Sequence, residues 1–494
     1  MQDPVDDVGR HGTVGLVAAD HPALTDNILK LHRHKVPPRW YGAAMIDRER
    51  LSDLLARERA AFVATHPRSA DAYAAAGSLF GRVPMTWMNK TAGGFPVYAA
   101  GARGARVTDV DGHGYVDFCL GDTAAMAGHS PAPVVEAVTA RLAAGGGLAT
   151  MLPTEDAAWV GAELARRFGV PRWSFALTAT DANRWAIRLL RAVTGRPRIL
   201  VNSYCYHGSV DESLIVVGPD GDSVSRPGNV GAPCDVTTTS RVAEYNDLAG
   251  LERELAHGDV AAVLMEPALT NIGIVLPSPG YLAGVRELTR RYGSYLVNDE
   301  THTFSAGPGG ATAAWGLEPD VVTIGKAIGG GVPIGAYGLS APLADLLSGR
   351  DDLDLVDMGG VGGTLAGNPL SVTAARATLE HVLTAPAFDG MTSVATAFAN
   401  GVQEVIDRFG LPWSVAQLGA RVEYRFCDPA PTSGGASAAA ADGELEDFLH
   451  AYLLNRGVLL TPFHNMALMC PETTLADVAT HHELFAAAVT ELVG

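Results

Sequence analysis

Between about residues 135 and 340, short apolar runs alternate with amphipathic stretches, and this alternation constrains the fold more than any other feature of the chain. The runs 199–201, 261–265, 294–298 and 321–324 each suit a short buried strand, and 136–144 and 182–193 carry helical periodicity. Strands separated by helices lie mostly parallel, because a crossover is needed to return the chain to the same end of the sheet. Such a sheet is covered on both faces. The expected large domain is therefore α/β, a mainly parallel mixed sheet sandwiched by helices.

In open α/β sheets, ligands sit outside the carboxyl ends of the strands. Two runs deliver a charged residue to that edge: YLVNDE brings Asp299 and VVTIGK brings Lys326. An aspartate at a strand end is commonly a cap or a surface group. A lysine embedded in IGKAIGGGVP is harder to explain, because an ammonium among apolar and glycine residues loses solvation unless it is paired or chemically consumed. A desolvated amine of this kind is a nucleophile toward carbonyls. Gly329, Gly330 and Gly331 let the backbone pass close to a flat ligand.

The rest of the chain narrows the function by exclusion. Its net charge of −18, from 36 basic and 54 acidic residues, lacks the basic footprint that nucleic acid demands. Apolar runs fall far short of the ~20 residues that span a bilayer, and MQDPVDDVGRHG has no apolar secretory core. A cytoplasmic protein with no membrane or nucleic-acid partner is expected. Cys119, Cys205, Cys234, Cys427 and Cys470 are scattered and form no CxxC pair, so neither a disulfide framework nor a metal site is expected. Residues 1–60 read as an N-terminal extension with a helix from Arg48. In ARVTDVDGHGYVDF, alternating valines flank an Asp-Gly turn, a hairpin signal. The low-complexity run 432–443 reads as a mobile surface loop.

The segments DETHTF, PDVVTIGK and GGGVPIGA together resemble the signature of class III aminotransferases, enzymes of fold type I that depend on pyridoxal phosphate (PLP). Within that class the chain is most similar to glutamate-1-semialdehyde aminomutases and β-amino-acid aminotransferases. The resemblance runs from about Thr86 to the C-terminus. It implies a large PLP-binding domain (135–370) and a smaller α+β domain built from both chain ends (61–134 and 371–494). Lys326 would carry the cofactor as a Schiff base, and Asp299 would hold its pyridine nitrogen protonated, so that the ring withdraws electrons from the substrate.

The same resemblance assigns the remaining contacts. TATDA places Ala179 and Thr180 at a helix N-terminus, where free N–H groups and a hydroxyl suit the cofactor phosphate. Ala179 and Asp181 replace the family's Gly and Glu. Tyr206 of the YHG segment would stack on the ring, with His207 and Gly208 supporting the turn. Glu266 reads as a structural partner, with Asn271 nearer the pocket. Thr301 replaces the usual Val against the ring face, and His302 either donates to the ring oxygen or merely packs. GGTLAGNPL places Thr364 at the phosphate of a neighbouring subunit, which implies a homodimer.

Substrate contacts lie outside these motifs. Trp87 and Met88 stand where related enzymes carry an arginine and suggest an apolar wall. Arg421 is either a carboxylate clamp or a salt-bridge partner of Glu423, and His464 and Asn465 are further candidates. The expected reaction is amino transfer between an amine or amino acid and a keto or aldehyde acceptor, through a pyridoxamine intermediate. Aminomutase or epimerase chemistry is the alternative, since all share the Lys–Asp pair.

Overall fold

A computed structural model describes residues 46–232, 235–355 and 359–494; the N-terminal 45 residues and Cys234 lie outside the described residues. Helix α1 (Arg48–Thr65) starts where Asp47 accepts hydrogen bonds from the N–H groups of Glu49 and Arg50. It runs past residue 60 and buries Leu51, Leu55 and Phe62. Its buried Glu58 accepts from Asn455 at 2.8 Å and Arg456 at 2.9 Å, and Arg59 pairs with Asp447 at 2.8 Å. The helix is thus pinned to the C-terminal part of the chain rather than standing apart as an appendage.

The Asp-Gly turn joins β2 (Arg106–Asp109) to β3 (Gly114–Asp117), with β1 (Ala99–Arg103) antiparallel outside β2. The large sheet takes β4 (Arg172–Ala176), β5 (Arg198–Asn202), β6 (Ser240–Ala243), β7 (Val260–Met265), β8 (Tyr295–Asp299), β9 (Val321–Ile324) and β10 (Gly335–Leu339), in the order β4-β10-β9-β8-β7-β5-β6. β10 runs opposite to the strands on either side of it, β9 and β4, and the other neighbouring strands pair in parallel. β7 is buried at every position, as a central parallel strand between two helical layers must be. Helix α2 (Ala179–Thr194) covers this sheet with Ala182, Ala186, Ile187 and Leu190.

Toward the C-terminus, β11 (Ser414–Leu418), β12 (Arg421–Arg425) and β14 (Met466–Leu468) form a three-stranded antiparallel sheet. β13 (Val458–Leu459) adds parallel to β3, so the two ends of the chain share a sheet. The 432–443 run is not a loose loop. It forms a short helix, Gly434–Ala439, with Gly434 and Ser437 buried, and Arg425 Nη2 donates to Ser437 O at 2.5 Å. Its small residues permit the approach: a Cβ on Gly434 would collide with Ser203 O. Low complexity here marks close packing.

The C-terminal helix α3 (Leu475–Val493) buries His481 among Phe118, Phe398 and Phe485, and neither ring nitrogen has a partner. Burial, then the neighbouring His482, holds this imidazole well below its usual range, so it is neutral in the fold. Unfolded, it would take a proton near pH 6.5. Stability is therefore expected to be complete above about pH 6.5 and to fall as the pH drops below it, where the unfolded chain binds the extra proton. His481→Phe removes two unsatisfied buried nitrogens, each worth about 1–3 kcal/mol. A melting temperature raised by several degrees and a flatter acid limb in thermal unfolding are expected; an unchanged pH dependence would refute this account.

Candidate active site

Asp299 closes β8, in register with Thr323 of β9, and Lys326 follows the end of β9. Adjacent parallel strands thus deliver both groups to one edge of the sheet. Asp299 is buried, and both of its oxygens accept hydrogen bonds. Oδ1 accepts from the Thr301 N–H at 3.0 Å and the Thr301 hydroxyl at 2.6 Å; Oδ2 accepts from Asn183 Nδ2 and His207 Nδ1, both at 2.8 Å. Burial pushes this carboxyl up, but the His207 hydrogen bond and charge, with Thr301 and Asn183, hold it below the usual carboxylate range. Asn183, on α2, also accepts from the Thr323 hydroxyl at 2.6 Å, tying the helix to both strands. The hydroxyl that distinguishes Thr301 from valine is spent on Asp299.

Lys326 has a left-handed backbone, φ 47°. Its Nζ lies 2.9 Å from Asp122 Oδ2 and 2.8 Å from His302 Nε2. An ammonium only donates, so His302 Nε2 accepts and Nδ1 carries the ring proton, which it gives to the Thr123 hydroxyl oxygen at 3.0 Å. Burial, then the charge of Lys326, keeps His302 far below its usual range and therefore neutral. Arg421 Nη2 donates to the same Thr123 oxygen and sits 3.1 Å from His302 Nδ1, a donor facing a donor. Arg421 is almost completely buried, its Nε has no partner, and among the described residues it makes no ion pair. The Glu423 bridge open to it in the sequence is not formed; Glu423 instead meets His464 Nδ1 at 3.2 Å.

Asp122 and Thr123 come from a loop in which Leu120, Gly121, Asp122 and Thr123 all have positive φ, from 45° to 85°. For leucine and a β-branched threonine this conformation is costly, at about 1–3 kcal/mol per residue. Asp117 Oδ1 holds the turn by accepting from the N–H groups of Cys119 at 2.8 Å and Leu120 at 2.9 Å. Burial would push the Asp122 carboxyl up, but the charge of Lys326, with its hydrogen bond, and the charge of Arg421 overcome it and keep the group ionised.

The N-terminus of α2 abuts this cluster. Thr178 is the cap, accepting from Asp181 N at 3.2 Å, which leaves Thr180 in the first turn. A Cβ on Gly325 would lie 3.1 Å from Ala179 N, so the backbone before Lys326 runs against the open helix end. Thr180 Oγ1 accepts from Ser209 N at 3.3 Å, and a side chain on Gly208 (φ 78°) would strike it. Tyr206 presents a half-exposed ring, while its N–H donates to buried Glu266 at 3.3 Å. Asn271 donates to Tyr204 O at 3.4 Å.

These contacts suit PLP: an ionised carboxylate for the ring nitrogen, an amine for the aldehyde, an exposed aromatic face, and a bare helix N-terminus for the phosphate. Lys326, His302 and Arg421 meet directly. Trp87 and His464 belong to a neighbouring group in which Trp87 packs edge-on against Phe463 at 5.7 Å. Thr364 is exposed and bonds to none of these residues. Sequence reasoning missed Asp122, Thr123 and Asn183, and gave His207 to the turn instead of Asp299. Only Asn183 carried a local signal, a polar residue on the apolar face of a helix.

Comparison with known proteins agrees with the fold and the chemistry. The family model described as Aminotransferase class-III matches residues 87–488. A glutamate-1-semialdehyde 2,1-aminomutase of Desulfitobacterium hafniense is 36% identical over 377 residues, covering 76% of this chain and 86% of that protein. A crystal structure of a glutamate-1-semialdehyde-aminomutase from Pseudomonas aeruginosa PAO1, a lysine-to-alanine variant in complex with PMP, superposes with a TM-score of 0.88 at 46% identity; it covers 91% of this chain and all of that one. A β-phenylalanine aminotransferase from Variovorax paradoxus superposes with a TM-score of 0.79 at 26% identity, covering 89% and 97%. The chain belongs to the class III aminotransferases, PLP-dependent enzymes of fold type I.

Proposed function

We propose that the protein transfers an amino group between an amino acid and a keto acceptor, with Lys326 holding the cofactor covalently. The observation that carries this reading is Arg421: a buried guanidinium without an ion pair, one imidazole ring from Lys326 Nζ. A buried charge left unpaired is expensive, and a substrate carboxylate is the partner that would compensate it. When bound, PLP supplies an electron-withdrawing ring beside the carbon that bears the substrate nitrogen.

The chain's own residues do the rest. Asp299 keeps the ring nitrogen protonated, with Asn183 and His207 fixing the carboxylate. Thr301 and Tyr206 would line the ring faces, His302 would stand beside the cofactor, and the N–H groups of Ala179 and Thr180 with the Thr180 hydroxyl would take the phosphate. Lys326 Nζ, once displaced by the substrate amine, moves the proton of the substrate carbon, a role worth ~10²–10⁴-fold. Trp87 and His464 would line the outer pocket. Thr364, exposed in this chain, would complete the phosphate site of a second copy, making a homodimer.

A second reading, an aminomutase, has the names of the two relatives at 36% and 46% identity in its favour. Acceptor dependence separates the two. With amino donor alone, an aminotransferase is expected to stop after one half-reaction per active site and to resume on adding a keto acid. Continued turnover on a single substrate without acceptor would overturn the transfer reading in favour of the mutase.

A further inference from the structure

Two opposite charges stand beside His302, next to the reacting lysine: Asp122 Oδ1 lies 3.9 Å and Arg421 Nη2 3.1 Å from its Nδ1. Arg421 could be read in the sequence as a carboxylate clamp or as a salt-bridge partner of Glu423. Asp122 could not, yet the loop that carries it is the most contorted backbone of the site, with four consecutive positive φ angles. We propose that Asp122 is the subsite for the ammonium group of the amino donor, so that Asp122 and Arg421 together read the zwitterion of an amino acid. This rests on the aminotransferase reading and names the substrate class of that same site.

Three observations support it. First, Asp122 is only half used: Oδ2 takes the Lys326 ammonium at 2.9 Å, while Oδ1 takes no hydrogen bond among the described residues, with His302 Nδ1 standing 3.9 Å away. The Asp122 side chain keeps about a fifth of its surface exposed and Lys326 nearly a third, so both face accessible space. The ammonium of an amino donor can therefore reach the free oxygen.

Second, the guanidinium beside His302 Nδ1 is short of acceptors. Its Nε is sealed in without a partner, and Nη2 shares the Thr123 oxygen with His302. His302 is the spacer. Neutral and donating through Nδ1 to Thr123, it offers Arg421 no lone pair and does not cancel the charge on either side.

Third, the strained turn supplies both neighbours of the spacer. Asp122 reaches Lys326, and Thr123 reaches His302 and Arg421, from adjacent positions of one loop. A donor amine must approach the atom that Lys326 Nζ occupies, and that approach passes the carboxylate. The keto acceptor has a carboxylate and no ammonium, so Arg421 alone would hold it. Asp122 thus separates donor from acceptor, and Arg421 serves both.

The test crosses two variants with matched probes on the PLP-loaded enzyme. Alanine, phenylalanine and glutamate, each as both enantiomers, are compared with their amine-free analogues propionate, 3-phenylpropionate and glutarate. Half-saturation for the amino acids is read from the single-turnover absorbance change; binding of the acids is read by calorimetry, which needs no chemistry. Asn tolerates the left-handed φ of position 122, so Asp122→Asn should keep the loop. It is expected to raise half-saturation for the preferred amino acid about 10–100-fold, the size of a lost charged hydrogen bond, and to leave the matched acid within about twofold. Arg421→Gln is expected to weaken both. Asp122→Glu, which restores the charge, should recover part of the donor affinity if the fold is intact.

If Asp122→Asn weakens acid and amino acid alike, or neither, the residue serves only Lys326 and the proposal falls. It falls equally if no amino acid binds the wild-type enzyme more tightly than its amine-free analogue. Failure of the aminotransferase reading has a different signature: continued turnover of the donor without any keto acceptor, whatever the calorimetric split.

Discussion

Lys326→Ala is expected to lower kcat by at least about 10⁴-fold, the upper end of what a positioned proton carrier contributes, while the variant still takes up PLP. The two effects separate because the groups that would hold the cofactor come from elsewhere in the chain. The bare first turn of α2 and the Asp299 carboxylate are both intact without the lysine. Stability should change little. Lys326 and Asp122 retain solvent contact, so the cost belongs with part-exposed pairs, at about 1 kcal/mol. Borohydride reduction of the wild-type holoenzyme should fix PLP to a single peptide containing Lys326. The same treatment of Lys326→Ala should release all cofactor on denaturation. Full turnover in the variant, or label on another lysine, would end the mechanism.

The parts of the site that sequence made legible share one property: their chemistry is fixed by local backbone. Asp299 and Lys326 stand at strand ends because YLVND and VVTI are short apolar runs that stop where they do. The crossover between parallel strands then leaves both at one edge. The α2 N-terminus was legible for the same reason. Illegible were the residues whose role depends on which distant segment they meet. Asp122 lies 204 positions from Lys326, and Thr123 lies 298 from Arg421. Nothing within the loop distinguishes such an aspartate from the many that sit in turns. The Gly434–Ala439 helix was hidden differently: small residues read as disorder in one dimension, and only the neighbouring backbone of Ser203 shows that smallness is what the packing requires. Arg421 lay between these cases. The sequence offered two partners for it, and the choice was made by His464, which engages Glu423 and leaves the arginine without one.

Asp299→Asn tests the other end of the cofactor, and its effect should be the second largest. The substitution keeps the shape but replaces one oxygen by an NH₂ group. The Oδ1 side can still accept from Thr301; the Oδ2 side faces the donors Asn183 Nδ2 and His207 Nδ1, both at 2.8 Å. A donor set against two buried donors costs about 1–3 kcal/mol of stability, expected as a lower melting temperature of the apoprotein. Catalytically, the loss would be the fixed negative charge that, in the proposed mechanism, would keep the ring nitrogen protonated. Removing one preorganised electrostatic group from a dry site typically costs about 10²–10³-fold in kcat, and that is the expected fall, together with weaker PLP binding in a cofactor titration. The pH dependence supplies an independent readout. Because hydrogen bonds hold the native carboxyl below its unfolded value near 3.9, its contribution to stability is complete above about pH 5 and is lost as the pH falls through the native value. The variant lacks that titration, so its acid unfolding limb should be shallower than the wild type's. A kcat within twofold of wild type would show that this carboxylate, although buried and ionised, does not face the cofactor ring.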